Sequence, residues 1–207
     1  SNGKHIGFTH KGEWISYSVK VSQSGAYKAI ARIASEQTGG EFHLSLNDED
    51  ITTTQTVTAT GSWTTFKNHS DINDIVLDEG EHILKLHFDN ETAVNISSIK
   101  FQRTGDANSV DFAAINGNTV SDEKSIELSF NQSISSSSVD SSKNDFTIVV
   151  NGVEKEINLV SKVANKQRKI ILTLKENLLY SDEIIANYSG TSLKSSSGQE
   201  LKSFSDL

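Results

Sequence analysis

Residues 13–21, EWISYSVKV, decide the fold. Written as an extended chain, they place Trp14, Ser16, Ser18 and Lys20 on one side and Ile15, Tyr17, Val19 and Val21 on the other. A period of two marks a β-strand with one wet face and one buried face. The alternation recurs in FHLSL (42–46) and in HILKLHF (82–88), where His82, Leu84, Leu86 and Phe88 form one row. SGAYKAIARIAS (24–35) is ambiguous, because Tyr27, Ile30 and Ile33 also suit a helix; its Ser-Gly opening and β-rich surroundings favour a strand. Beyond it, SIELSF (125–130), DFTIVVNG (145–152), RKIILTL (168–174) and EIIANYSG (183–190) are separated by Asn-Gly, Ser-rich and Asp-Glu turns. Short strands at this spacing, with no amphipathic helix of about ten residues or more, predict an all-β protein built as two β-sandwiches.

The 207 residues divide by composition. Both tryptophans and all six histidines precede Arg103, and the remainder is rich in Ser, Asn and Lys. Residues 103–111, RTGDANSVD, form the joint, giving expected domains at 1–105 and 106–207. Each half carries a net charge of −4, for a total of −8. A phosphate-backbone binder needs a dense basic face, so nucleic acid is excluded as a partner. No apolar run is long enough for membrane insertion. The chain has no Cys, which removes disulfides, thiolate nucleophiles and Cys-ligated zinc. It also has no Met, so it reads as a segment of a longer polypeptide.

No known catalytic motif is present: neither a Gly-x-Ser-x-Gly elbow, nor His-Glu-x-x-His, nor a phosphate-cradling glycine loop. The acidic groups Asp48, Glu49 and Asp50, and Glu79 with Glu81, fall in turns where acids are ordinarily solvated, so they make a poor glycosidase pair. The histidines lack metal-ligand spacing. The serine tract at 133–145 reads as an ordered loop between strands, against the alternative of a flexible glycosylated stalk. The aromatics stand apart. Phe8 in HIGFTHKG (5–12) and Trp63 in TATGSWTTF (58–66) lie in Gly-flanked turns outside any alternating strand. A flat ring at a loop tip complements the axial C–H face of a pyranose, and incidental core packing is the rival explanation.

The first half resembles carbohydrate-binding module family 6 over residues 1–101. The motifs, in order, are the opening SNGKHIGFTHKGEWISYSVKV, then SGAYKAIARIAS with its Gly-Gly turn and FHLSL, then TGSWTTF (60–66), LDEGEHILKLHF (77–88) and VNISSIKF (94–101). The resemblance implies a jelly-roll carbohydrate-binding module whose glycan site lies in loops at one end. The stacking pair is carried onto Phe8 and Trp63 and the hydrogen-bonding amide onto Asn95. Trp14 becomes a mainly structural residue at the edge of an alternative cleft. Phe8 stands where the family usually has Tyr, and Ser97 and Ser98 replace its closing Asn and Trp. By loop position the rim falls to His10, Lys11, Glu36, Gln37, Asn90 and Glu91. The family's N-terminal strands, with part of a structural calcium site, would precede Ser1. No cofactor is implied beyond that one structural calcium ion.

The second half more loosely resembles bacterial immunoglobulin-like surface repeats, on DFTIVVNG, KIILTLKENLLYSDEIIANYSG (169–190) and LKSSSGQELKSFSDL (193–207). Together the resemblances imply a non-catalytic module and an immunoglobulin-like domain acting as a spacer, from a secreted or cell-surface bacterial protein. Its partners would be a polysaccharide (xylan, β-glucan or agarose-type galactan) and the catalytic domain of a parent glycoside hydrolase. The rival reading is a structural or adhesive cell-surface module without an active glycan site.

Overall fold

The computed structural model describes residues 4–207. Eight strands form its first part: β1 (Trp14–Val21), β2 (Gly25–Ala34), β3 (Gly40–Leu46), β4 (Glu49–Asp50), β5 (Gln55–Val57), β6 (Lys67–Leu77), β7 (Gly80–Phe88) and β8 (Asn95–Gly105). One sheet has the order β1-β7-β3-β4, with β5 also on β3; the other runs β6-β2-β8. All pairings are antiparallel. The row Leu84, Leu86 and Phe88 turns inward with Phe42 and Leu44, against Ala29, Ala31 and Ile33 from the other sheet.

The ambiguous stretch at 24–35 is a strand, as its surroundings favoured. It is the central strand of its sheet, bonded to β6 on one side and β8 on the other. Ladders on both edges satisfy a whole strand of amides, and this outweighs the helix preference of its alanines.

The acids at 48–50 behave otherwise than their turn position implies. Asn47 and Asp48 both have positive φ, 54° and 63°. That is the conformation of a two-residue hairpin turn, and it pairs Glu49 and Asp50 as β4 against Leu46 and Ser45. Glu49 is consequently buried, and Asp48 ion-pairs with Lys85.

The chain divides into two units between Val110 and Asp111. Val110 packs with Ala26 and Val76 of the first unit. The turn that carries it there is held by Arg103 on Asp106 at 2.6 Å and by the Ser109 hydroxyl donating to the Asp106 carbonyl at 2.6 Å.

The second unit contains β9 (Ala114–Thr119), β10 (Ser125–Phe130), β11 (Phe146–Val150), β12 (Val153–Lys155), β13 (Ile157–Lys162), β14 (Lys169–Leu174) and β15 (Ile184–Tyr188). A four-stranded sheet β13-β14-β10-β9 and a three-stranded sheet β12-β11-β15 enclose Leu128, Phe130, Ile148, Leu172 and Tyr188.

The serine tract between β10 and β11 is ordered, and it is helical. A turn of α-helix (Ser136–Val139) runs into a 3-10 helix (Asp140–Asp145). The hydroxyls of Ser138, Ser141 and Ser142 each donate to the carbonyl three residues back, at 2.7, 3.0 and 2.7 Å. Serines that bond their own backbone close short turns readily, and buried Val139 pins these to the core.

Candidate functional site

At one end of the first unit, the segment before β1 meets the start of β8. Ile6 and Ile96 exchange both backbone hydrogen bonds at 2.9 Å, which brings Gly7 against Asn95. A Cβ at position 7 would lie 2.3 Å from Asn95 Oδ1, so any larger residue there has to displace that amide. Two residues on, buried Thr9 accepts a hydrogen bond from the Val94 N–H at 3.3 Å. Phe8 is therefore anchored on both sides and has nowhere to point but outward. It is 93% exposed and adopts φ +57°, a left-handed conformation that bulky side chains rarely take.

Trp63 sits in a turn built by hydroxyls. Thr60 accepts from the Ser35 N–H at 2.9 Å and donates to the Ser35 carbonyl at 3.1 Å, fixing the loop to the end of β2. Gly61 takes φ +106°, and the Ser62 hydroxyl then accepts from the Thr64 and Thr65 N–H groups at 3.3 and 3.1 Å. The ring of Trp63 is left half-buried. Its carbonyl accepts a hydrogen bond from the Asn95 side-chain amide at 2.8 Å. Of the four candidate site residues, Asn95 is thus bonded to Trp63 and lies against the residue before Phe8.

The rim residues separate into two groups. His10 and Glu91, both exposed, pair at 3.3 Å across the loops, and the His10 N–H donates to Glu13 at 3.0 Å. Asn90 instead donates to the Gly39 carbonyl at 2.7 Å and accepts from the Thr92 N–H at 3.1 Å, the bonding of a loop brace. Phe66 packs beside the His5 ring at 5.5 Å.

Trp14 stands elsewhere, on the outer face of β1. It is 53% exposed, opposite His87, with the Lys85 ammonium 4.5 Å above its ring. A depression of about 400 Å³ borders both Trp14 and the Phe8 loop, lined by Ile6, Gly7, Thr9, Glu13 and Phe88.

The same outer face holds a pair that the sequence did not reveal. His43 and His87, facing each other across β3 and β7, stack with ring centres 4.4 Å apart and planes 2° apart. His43 reaches Asp89 at 2.7 Å through Nδ1 and Asp50 at 3.4 Å through Nε2. Burial disfavours its charge, but the hydrogen bonds and charges of the two carboxylates outweigh this and raise its pKa above the usual imidazole value. His87, 2.8 Å from the Ser45 hydroxyl, has its pKa lowered by burial and by the neighbouring His43. The two strand segments carry these histidines at outward positions, so the signal exists, but it becomes readable only once β3 is known to pair with β7. Among the described residues, no group of three or more His, Asp or Glu side chains could hold a metal ion.

Residues 1–103 match the family model for carbohydrate binding module (family 6). Among solved structures, the chain is similar to a module from Cellvibrio mixtus lichenase 5A in complex with cellotriose, at 27% identity and a TM-score of 0.44, covering 49% of this chain and 79% of that one. It is also similar to the C-terminal family 6 module of a marine laminarinase from Zobellia galactanivorans, at 26% identity and 0.45, covering 49% and 81%. A β-1,3-glucan-binding family 6 module from Bacillus halodurans shares 20% identity with a TM-score of 0.43, covering 48% and 77%. No curated protein matches the chain.

Proposed function

We propose, from the match of residues 1–103 to a carbohydrate-binding family, that the first unit binds a polysaccharide by stacking sugar rings on Phe8 and Trp63. The observation that carries this reading is Phe8 itself. A large apolar side chain held 93% exposed in a strained backbone conformation does nothing for the fold, and strain of this kind persists where a site uses it. An exposed ring face and a half-buried indole offer the flat apolar surfaces that the C–H face of a pyranose fits.

The first half carries a net charge of −4 and no basic cluster accompanies the two rings, which argues against a strongly anionic glycan as the ligand. Two rings on an open surface support dissociation constants on the order of 10 µM to 1 mM. Such weak binding is useful through tethering, because it raises the effective concentration of an attached catalytic domain at its polysaccharide. The module would act outside the cell, as part of a secreted or surface-bound polysaccharide-degrading enzyme. The second unit, two sheets over one core, would serve as an immunoglobulin-like spacer.

The test is Trp63→Ala in affinity electrophoresis against xylan, mixed-linkage and β-1,3-glucans, and agarose. Retardation on the polysaccharide that slows the parent protein should be lost. Retardation equal to the parent's would remove Trp63 from the site.

A further inference from the structure

We propose that the His43–His87 stack on the outer face of the first unit is a proton-operated switch: one proton holds the two rings together, and a second drives His87 off His43 and towards Trp14. The switch stands apart from Phe8 and Trp63 and operates whether or not those rings bind sugar.

Both ring nitrogens of His43 face carboxylates, Nδ1 with Asp89 at 2.7 Å and Nε2 with Asp50 at 3.4 Å. Each nitrogen needs a hydrogen to give its acceptor, so His43 is the imidazolium of the pair. His87 meets a hydroxyl instead, Ser45, 2.8 Å from its Nε2, and a hydroxyl donates to a neutral imidazole. The stack, with ring centres 4.4 Å apart, is then a cation lying on a neutral ring. Against the cost of burial, Asp50 and Asp89 hold the His43 pKa above the usual imidazole value, while burial and His43 hold that of His87 below it. Between the two values the pair carries a single proton.

A second proton sets two like charges 4.4 Å apart on a face only partly open to water, where they repel strongly. The surrounding charges decide which ring gives way. Asp50 of β4 and Asp89 after β7 hold His43 from both sides, and Glu41 lies two residues before it on the same face of β3. β5 carries no charged residue. Lys85, two residues before His87 on β7 and ion-paired with Asp48 of the hairpin turn, adds positive charge on the other side. Negative charge is therefore gathered on His43, and His87 is the ring that leaves.

Its path is set by the sheet. β7 runs between β3 and β1, so His87 has His43 on one flank and Trp14 on the other. Trp14 is 53% exposed and already draws the Lys85 ammonium to 4.5 Å from its ring centre; an imidazolium is attracted to the same indole face. Acidification thus changes what surrounds Trp14 by rotating one side chain.

The experiment follows Trp14 in the whole chain carrying Trp63→Phe, where it is the sole tryptophan. A protonated imidazole against an indole quenches its emission. The signal should fall as pH drops from about 8 to about 5, with a midpoint below about 6.5, while the far-UV spectrum is unchanged. His87→Gln should abolish the fall. His43→Gln separates rotation from titration in place: Asp50 and Asp89 then hold protonated His87 on the β3 side, and emission should stay near its high-pH value. Proton spectra of the unaltered chain need no variant, and NOEs between the two imidazoles should be present at about pH 7 and lost by about pH 5. Emission flat in pH, a fall that persists in either glutamine variant, a fall that coincides with loss of the far-UV spectrum, or NOEs that survive acidification would each overturn the proposal.

Discussion

Replacing Phe8 with Asn should make the first unit more stable and its glycan binding weaker. Phe8 occupies φ +57°, where an L-residue with a large side chain pays roughly 1–2 kcal/mol and Asn considerably less. Because Phe8 is 93% exposed, its removal forfeits almost no burial. Relief of about half the backbone penalty then leaves a net gain of about 0.5–1 kcal/mol. For a unit of this size that raises the melting temperature by roughly 2–8 °C. Losing one ring face of some ~50 Å² costs about 1–1.5 kcal/mol of binding, which is close to ten-fold in affinity.

Calorimetry of the first unit's transition and affinity electrophoresis on the same samples measure both sides. Phe8→Ala is the control: it loses the ring but keeps a residue that dislikes this conformation, so binding should fall with little gain in stability. A lower melting temperature for Phe8→Asn would show that the ring supports the fold, and unchanged retardation would show that it touches no sugar. Either result refutes the argument from strain.

The stacked histidines should leave opposite marks on stability against pH. His87 has its pKa lowered by burial and by His43, so the folded state refuses a proton that the unfolded chain takes up below about pH 6.5. Stability is lost as pH falls from there through the folded value, and His87→Gln should abolish that loss, gaining more at pH 5 than at pH 8 in thermal melts. His43 is raised by Asp50 and Asp89 against the cost of burial. Its contribution is present below about pH 6.5 and lost as pH rises through the folded value, so His43→Gln should cost more at pH 5.5 than at pH 8.5. Equal pH dependence in the two variants would count against the assignment.

In the second unit, a Cβ at Gly190 would lie 2.1 Å from Asp145 Cγ. Asp145 Oδ2 accepts from the Ser192 N–H at 2.9 Å and from the Tyr188 hydroxyl at 3.3 Å, and that hydroxyl accepts from the Leu193 N–H at 3.0 Å. Gly190→Ala should therefore destabilise by about 1–3 kcal/mol in denaturant unfolding; a change within about 0.5 kcal/mol would mean that the cluster yields freely.

The strands were legible because alternation is a local property. Residues 13–21 and 82–88 each display one apolar row, and a row needs only its own sequence to be seen. The turn at 47–48 and the helical serine tract were not legible in the same way. In the first, two consecutive residues with positive φ convert an acidic run into a strand and bury Glu49. In the second, hydroxyls bond their own backbone while Val139 reaches a core assembled from distant strands. Propensity alone ranks serine as an indifferent helix former and says nothing of either partner.

Phe8 and Trp63 were legible by a different route, as residues that fail to fit the strand pattern, and misfit survives without knowing the topology. What holds their loops in place depends on contacts that span the chain. Gly7 is crowded by Asn95, 88 residues away, and the two are set side by side by the Ile6–Ile96 bridge. The histidine pair belongs to the same class: 44 residues separate His43 from His87, and their stacking follows from the register that sets Phe42 opposite Phe88. The proposed stacking pair announces itself in sequence by what it violates. The groups that hold those rings obey every local rule, and only strand pairing reveals them.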